Sequence, residues 1–317
     1  MSSTLQTHAT RPGPPERIHA KPLRHPGRWA LAAVLIALLV WFVIGAARNP
    51  AYGWSTYFAY LFDTRIAIAA LHTLAITVLA MIIGVVGGVL LGVMRMSPNP
   101  VFTSVSWLFL WIFRGTPVYV QLMFWGLLGA IYDTINLGVA NISLAPFTSS
   151  AFLLAVVGLG LNEAAYMAEI VRSGVSSVPE GQIEASKALG MSWSQTMRRT
   201  VLPQAMRIII PPTGNEFISL LKTSSLVVAV PYSLELYGRS QDIAAALFEP
   251  VPLLLVAATW YLAITSVLMI GQHFVEKHFD RGATRQLTAR QLASLADAEG
   301  TIPSKVNLID SPERKGR

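Results

Sequence analysis

The chain has 317 residues, of which 53% are apolar and only 13% are charged, and its mean hydropathy is +0.51. Soluble globular proteins carry about 25% charged residues, so this composition excludes a soluble protein and indicates an integral membrane protein. The net charge of +7 is concentrated in the two tails and one internal loop, which is typical of membrane topology rather than nucleic-acid binding. The absence of cysteine excludes disulfides, thiolate chemistry and Cys-ligated metal sites.

The N-terminal region combines a basic tail with an apolar run. Residues 1–28 are rich in proline and basic side chains, and residues 29–47 are almost entirely apolar. This run is longer than the roughly 7–15 apolar residues of a cleaved signal peptide. We therefore expect a retained N-terminal transmembrane anchor, although the small residues Ala46 and Ala47 leave a signal cleavage site as the alternative.

Several apolar segments approach the length of about 20 residues with which a helix crosses the bilayer. They are residues 29–47, 68–94, 107–130, 150–172, 207–230 and 251–273. An even number of spans places both termini on one side, and Lys and Arg accumulate in the tails and in the 173–206 loop. By the positive-inside rule that side is the cytoplasm. The predicted fold class is an all-α polytopic membrane protein with about six transmembrane helices.

Small and helix-breaking residues predict local features of these spans. Gly84, Gly88 and Gly92 recur every four residues in the second span, which favours close helix packing within the subunit or across a dimer. Residues 101–113 are expected to lie along the membrane interface before the chain turns into the bilayer. The prolines at 211–212 are expected to interrupt the fifth span, either as a packing kink or as a kink that shapes a path.

Polar and charged residues lie inside two of the predicted spans, where they are costly and usually functional. In the fourth span, Asn162, Tyr166 and Glu169 share one helical face at i, i+4, i+7 spacing. Glu163 lies about 20 Å along this span, somewhat past the middle of the bilayer. Glu169 and Arg172 are expected to pair near the cytoplasmic end.

The fifth span carries a second polar stripe of Asn215, Ser219 and Lys222 with the same spacing. If the two stripes face each other, they line a hydrated path. Glu163 would then accept an ammonium group and Lys222 a carboxylate, which suits a zwitterion such as an amino acid. The alternative is that Lys222 and a nearby acid, Glu216 or Glu163, neutralise each other inside the bundle.

The connection between the fourth and fifth spans, residues 179–205, is polar, amphipathic and helix-forming. A helix is predicted over residues 181–189, with a sharp turn at Gly190. A second helix is predicted to be capped by Ser192 and to end at residues 202–203. The result is a helix–turn–helix knob that docks a soluble partner in the cytoplasm. The alternative is an amphipathic segment resting on lipid headgroups.

These motifs, in this order, resemble permease subunits of type I ABC importers, in the polar branch that takes histidine, glutamate, glutamine, arginine and opines. The matching segments are residues 113–117 with Gln121, 164–172, 181–185, 188–190, 202–205, 211–215 and 222–226. The likeness covers about residues 60–280, the predicted importer domain, and leaves the tails 1–28 and 281–317 and the 29–47 anchor outside it. The departures are Ser186, which replaces the second alanine of a Glu-Ala-Ala triplet, and Glu163, where many relatives carry a smaller or neutral residue.

The resemblance implies a permease with a five-helix core plus the extra N-terminal helix, which forms the path for ATP-driven uptake of a polar or charged L-amino acid. The residues expected to line the substrate path are Glu163, Tyr166, Glu169, Arg114, Asn215, Ser219, Lys222 and Thr223. The residues expected to couple the permease to its ATPase are Glu184, Ala185, Gly190, Leu202 and Pro203.

The resemblance also implies partners and a location. The partners are a cytoplasmic ABC ATPase dimer, a second permease that is identical or homologous, an extracytoplasmic amino-acid-binding protein and membrane lipid. The location is the bacterial cytoplasmic membrane, with both termini cytoplasmic. The chain has no phosphate-binding loop, so ATP and Mg²⁺ are expected in the partner subunits and no catalytic, cofactor or metal site in this chain. The alternative function is an ion-gradient-driven secondary amino-acid transporter, which has no need of a docking loop.

Overall fold

The computed structural model describes residues 26–132, 134–136 and 141–279, most of which are helical. The α-helices are α1 (Pro26–Arg48), α2 (Trp54–Tyr60), α3 (Thr64–Arg95), α4 (Pro100–Gly115), α5 (Val118–Ile131), α6 (Ala145–Thr148), α7 (Ala151–Ser176), α8 (Glu180–Ala188), α9 (Trp193–Thr196), α10 (Leu202–Thr223), α11 (Leu236–Leu247) and α12 (Pro250–Phe279). Tighter 3-10 turns lie at Pro50–Tyr52 and Ser224–Ala229, and a wider π-helical turn lies at Met197–Val201. Strands β1 (Thr134–Asn136) and β2 (Asn141–Ser143) form a short antiparallel pair. The predicted tails lie outside the described residues, apart from residues 26–28.

The chain divides into two compact units after Trp54. The first unit contains α1, whose stretch Gly27–Arg48 is long and apolar enough to cross a membrane. None of that stretch is buried inside the protein, so its apolar side chains are available to lipid. The indole Nε1 of Trp54 donates a hydrogen bond of 3.0 Å to the carbonyl of Ala46, which fastens the chain after the helix.

The second unit contains the remaining candidate spans. Within this unit, Thr64–Arg95, Ala151–Ser176 and Pro250–Phe279 are each long and apolar enough to cross a bilayer. Helices α4 and α5 together form a further candidate span, bent by 104° at residues 116–117. The predicted 107–130 segment is therefore a broken span, and the bend agrees with the predicted change of direction after residue 113. The all-α polytopic fold is confirmed.

Helix α10 corrects one prediction. The prolines at positions 211 and 212 were expected to interrupt the fifth span, but α10 continues through both. Proline is tolerated within a membrane helix when neighbouring groups compensate for the lost donors. The Gln272 amide of α12 also donates to the carbonyl of Pro211 at 3.4 Å, which links α10 to α12 beside the prolines. The helical geometry changes only at Ser224, where the 3-10 turn begins. Helix α10 is not among the apolar candidate spans, since it carries Asn215, Glu216 and Lys222.

The core of the second unit is the packing of α3 against α7. The predicted glycine face lies at this contact: a Cβ at Gly84 would overlap the side chain of Glu163, and one at Gly88 would overlap Met167. A Cβ at Gly92 would come within 3.1 Å of the Ala168 carbonyl. The absence of side chains on this face lets the two backbones approach closely, as small residues do between membrane helices. The prediction of close packing is confirmed within the subunit.

Candidate functional site

The helical knob, residues 179–205, begins as the sequence predicts. Helix α8 starts directly after Pro179, with Glu180 in its first turn, where a carboxylate interacts favourably with the helix dipole. The chain then turns at Gly190, whose φ of +72° lies in the left-handed region that a side chain disfavours. The predicted helix and the glycine turn are both confirmed.

The second half of the knob agrees with the prediction at its start and differs at its end. Ser192 and Gln195 form a reciprocal capping box, with bonds of 3.3 and 2.8 Å between the side chain of each and the backbone N–H of the other. The prediction that Leu202 and Pro203 end this helix is wrong. Helix α9 passes into the π-helical turn and α10 starts at Leu202, so Pro203 lies in the first turn of α10, where proline is well tolerated. The knob is thus continuous with α10.

The outer surface of the knob combines the predicted polar residues with two apolar ones that the sequence analysis missed. Glu184, Ala185 and Gly190 are exposed. Leu189 and Trp193, on either side of the glycine turn, are 82% and 76% exposed. Both residues flank the predicted turn at Gly190, and this position could have identified them from the sequence. Large apolar side chains with this much solvent exposure are typical of a surface that another protein covers.

Arg114 and Tyr166, two of the predicted path residues, lie together. The Arg114 guanidinium lies 5.5 Å from the centre of the Tyr166 ring, a cation–π arrangement between α4 and α7. The predicted ion pair between Glu169 and Arg172 is present, with a distance of 2.8 Å, on the same helix as Tyr166. Both pairs are partly exposed, and Tyr166, Glu169 and Arg172 all lie in the second half of α7.

Asn162, which shares the stripe with Tyr166, has a structural role. Its amide donates to the Phe113 carbonyl at 3.2 Å and to Gln121 Oε1 at 3.0 Å. Gln121 in turn donates to the carbonyls of Phe113 and Thr116 and to the Thr116 hydroxyl. These bonds satisfy backbone groups at the bend between α4 and α5, which lipid could not satisfy.

Glu163, unlike those partly exposed side chains, is buried. Only 4% of the residue is exposed, its side chain packs on Gly84, and its Oε1 atom has no hydrogen-bond partner among the described residues. Glu216 of α10 lies within electrostatic range of it. Buried polar atoms are nearly always hydrogen-bonded, so this carboxylate requires an explanation.

The polar stripe of α10 is exposed rather than packed against Glu163. Asn215, Ser219 and Lys222 are all exposed. Asn215 Oδ1 accepts a hydrogen bond of 3.0 Å from the amide of Gln272 on α12. The Thr223 hydroxyl donates to the carbonyl of Ser219 at 3.0 Å, in the last turn of the helix. Lys222 forms no ion pair with the described carboxylates, so the structure does not bring Glu163 and Lys222 together as a neutral pair.

Residues 84–281 match the family model of the binding-protein-dependent transport system inner membrane component. The match covers more than half of the chain and includes the knob, α7 and α10. The chain belongs to this family. It is an ABC transporter permease subunit.

Relatives of this permease serve amino-acid transport. The permease is 69% identical to the arginine transport system permease protein ArgU of Corynebacterium glutamicum over 315 residues, which are 99% of this chain and 100% of that protein. It is 37% identical over 196 residues to the glutamine transport system permease protein GlnP of Escherichia coli, covering 62% of this chain and 84% of that one. A crystal structure of an amino acid ABC transporter with histidines matches with a TM-score of 0.57 and 31% identity, over 68% of this chain and 94% of that chain.

Membership of the family implies an ATPase and a binding protein as partners of the permease. The comparisons give no support to the alternative of an ion-gradient-driven carrier. The permease is an inner membrane component with several membrane helices, as the sequence predicts.

One buried residue of the permease was missed entirely. Glu235 is fully buried and caps the start of α11, accepting hydrogen bonds from the backbone N–H groups of Tyr237 and Gly238. Its other oxygen accepts from the hydroxyls of Thr73, Ser224 and Tyr261. An acid directly before a helix was the available signal, because such residues cap helix starts.

Proposed function

We propose that this permease forms, with a second permease subunit, the path for ATP-driven uptake of arginine or a closely related cationic L-amino acid. The observation that carries the proposal is the buried Glu163 carboxylate, which has an unpartnered oxygen and lies within electrostatic range of Glu216. Two carboxylates close together at membrane depth attract a cation. The full-length likeness to an arginine permease gives independent support.

A guanidinium group fits this requirement better than a neutral side chain. It presents five N–H donors in a planar fork and stays charged at every physiological pH. A carboxylate oxygen without a partner can accept one of these donors at no cost in existing hydrogen bonds. Arg114, Tyr166, Glu169, Asn215, Ser219, Lys222 and Thr223 stay predicted path residues. The exposure of Asn215, Ser219 and Lys222 supports their assignment to a surface that a second subunit or a hydrated path covers.

The proposed partners act on opposite sides of the membrane. Two ATPases, which supply the ATP and Mg²⁺ sites, dock on the cytoplasmic knobs of two permeases. The coupling residues are Glu184, Ala185, Gly190, Leu202 and Pro203, together with the exposed Leu189 and Trp193. An amino-acid-binding protein delivers substrate to the opposite face. Residues 60–280 form the importer domain, α1 is a retained anchor, and both termini are cytoplasmic.

The docking assignment is tested by co-purification. We expect Glu184→Lys or Gly190→Pro to reduce the amount of ATPase that co-purifies with the permease, because the first reverses a surface charge and the second cannot adopt the positive φ of the turn. Membrane insertion should be unchanged. Wild-type amounts of ATPase with both variants would refute the docking role of the knob.

The substrate is tested by transport. The permease, its ATPase and its binding protein are reconstituted in vesicles, and ATP-dependent uptake of labelled arginine, lysine, histidine and glutamine is compared. We expect uptake of arginine, and a loss of at least about tenfold with Glu163→Gln, since a charge pair is removed. Glu249→Gln, which alters an exposed carboxylate after α11, serves as the matched control. ATP-independent uptake, or unchanged arginine uptake with Glu163→Gln, would contradict the proposal.

A further inference from the structure

We propose that a hydrogen bond between Ser186 and Thr200 fixes the angle between the two halves of the knob, so that motion of α8 reaches α10. Ser186 and Thr200 are then positioning residues for the coupling of ATP hydrolysis to transport. This inference deepens the proposed function, because it rests on the docking role of the knob.

The bond is partly buried and joins residues 14 positions apart along the chain. Ser186 is only 4% exposed, and its hydroxyl donates to the Gln182 carbonyl at 2.8 Å. The same oxygen lies 2.9 Å from Thr200 Oγ1. Since the single hydroxyl proton of Ser186 is directed to Gln182, Thr200 is the donor in the second bond. An alanine at position 186, which the resembled family usually carries, would leave the half-buried Thr200 hydroxyl without this acceptor.

The π-helical turn holds Thr200 in place. This turn, Met197–Val201, comes directly before Pro203, whose ring crowds the carbonyl four residues earlier in a regular α-helix. A wider turn relieves that crowding, and π-helical turns often occur at functional positions. The Gln204 amide donates to the Thr200 carbonyl at 2.9 Å, so both the backbone and the side chain of Thr200 are fixed.

Apolar contacts also hold the two halves together. The apolar support beneath the knob consists of Val178, Val201, Ala205 and Ile209, with Ile183 and Met197 packed against it. Among the described residues, the Ser186–Thr200 contact is the only side-chain hydrogen bond between α8 and residues 193–201. Apolar contacts permit sliding, whereas a hydrogen bond is directional and, partly buried as it is here, favours one geometry. A displacement of α8 by a docked partner is therefore transmitted to α10 through this bond.

The measurement is the number of ATP molecules hydrolysed per arginine transported by the reconstituted complex. We expect Ser186→Ala and Thr200→Val each to raise this ratio about fivefold, the factor that one ordinary hydrogen bond contributes to an equilibrium. The double variant should be no worse than either single variant, because both remove the same interaction. Thr200→Ser keeps the donor and should restore a ratio close to that of the wild type. Ser173→Ala, at an exposed position in the last turns of α7, is the matched control.

Separate outcomes test the inference and the docking role on which it rests. Co-purification of the ATPase should be unchanged in Ser186→Ala and Thr200→Val, because the docking surface is intact. An unchanged ATP ratio in both variants would overturn the inference, and so would a raised ratio in Thr200→Ser. Reduced co-purification in these variants would also overturn it, because the bond would then shape the docking surface rather than transmit motion. If the docking role itself is wrong, Glu184→Lys and Gly190→Pro should instead co-purify the ATPase in wild-type amounts.

Discussion

Glu235 and Glu163 are both carboxylates buried inside the helical bundle, but their surroundings are opposite. Glu235 accepts hydrogen bonds from two backbone N–H groups and three hydroxyls. Glu163 has an oxygen without any partner among the described residues and has a second carboxylate, Glu216, within electrostatic range. A buried charge with a full set of donors stabilises one fold, whereas an uncompensated one lowers stability unless a ligand compensates it. Glu235 is therefore a structural acid, whereas Glu163 is the acid that we propose binds substrate.

The elements around the two acids strengthen this contrast. The donors to Glu235 come from α3, the 3-10 turn after α10, α11 and α12, so one side chain joins four parts of the second unit. Glu163 packs on Gly84, where no side chain is present to donate. Four substitutions test the contrast through their effects on the free energy of unfolding.

Glu235→Ala is expected to have the largest effect. It leaves the hydroxyls of Thr73, Ser224 and Tyr261 without their shared acceptor and uncaps α11. Breaking a buried charged network of this kind costs about 3–5 kcal/mol. Thermal unfolding of the detergent-solubilised permease should move to clearly lower temperature, while the exposed Glu249→Ala should leave it unchanged. Equal unfolding midpoints for the two variants would contradict a structural role for Glu235.

Gly84→Val is expected to have the next largest effect. A side chain at position 84 overlaps Glu163, so the substitution forces α3 and α7 apart or displaces the carboxylate. Overpacking of this kind costs about 1–3 kcal/mol, and arginine uptake should fall as well because Glu163 moves. The matched control is Gly271→Val, because nothing lies within 4 Å of a Cβ at that position. Unchanged stability of Gly84→Val would show that the packing there is loose.

Tyr261→Phe removes one hydroxyl from the Glu235 network and keeps the ring. The lost hydrogen bond involves a charged acceptor, and we expect a destabilisation of about 1.5 kcal/mol. Arginine uptake per folded molecule should be unchanged, since Tyr261 touches Glu235 and not Glu163. A loss of uptake at wild-type stability would instead place Tyr261 in the transport path. The measurement pairs the unfolding midpoint with initial uptake rates.

The sequence predicts the parts of this molecule that local rules control. Gly190 and the Ser192 cap follow from short-range backbone chemistry, and the Glu169–Arg172 pair follows from helical spacing. The prediction that Pro203 ends a helix was wrong, because a proline that ends one helix and a proline in the first turn of the next have the same local sequence.

The two buried acids show where sequence reasoning stops. The donors to Glu235 include Thr73, which is 162 residues away, so the network depends on tertiary packing that no local pattern encodes. The rise per residue of a helix predicted that Glu163 lies near the middle of the bilayer. Its burial against Gly84 depends on the rotation of α7 about its axis, which the neighbouring helix determines. Long-range polar contacts and the rotation of a helix about its axis therefore could not be predicted from the sequence.

Glu163→Gln is expected to have the smallest effect on folding, and it makes the contrast with Glu235 sharpest. The substitution keeps the shape of the side chain and removes a buried charge that lacks a partner, so the free energy of unfolding should not fall. A ligand that binds only the folded protein raises its unfolding temperature. If Glu163 holds the cation, saturating arginine should stabilise the wild-type complex and Glu249→Gln but not Glu163→Gln. Equal stabilisation of all three would place the substrate elsewhere in the path. A large loss of stability in Glu163→Gln without ligand would make Glu163 a structural acid like Glu235.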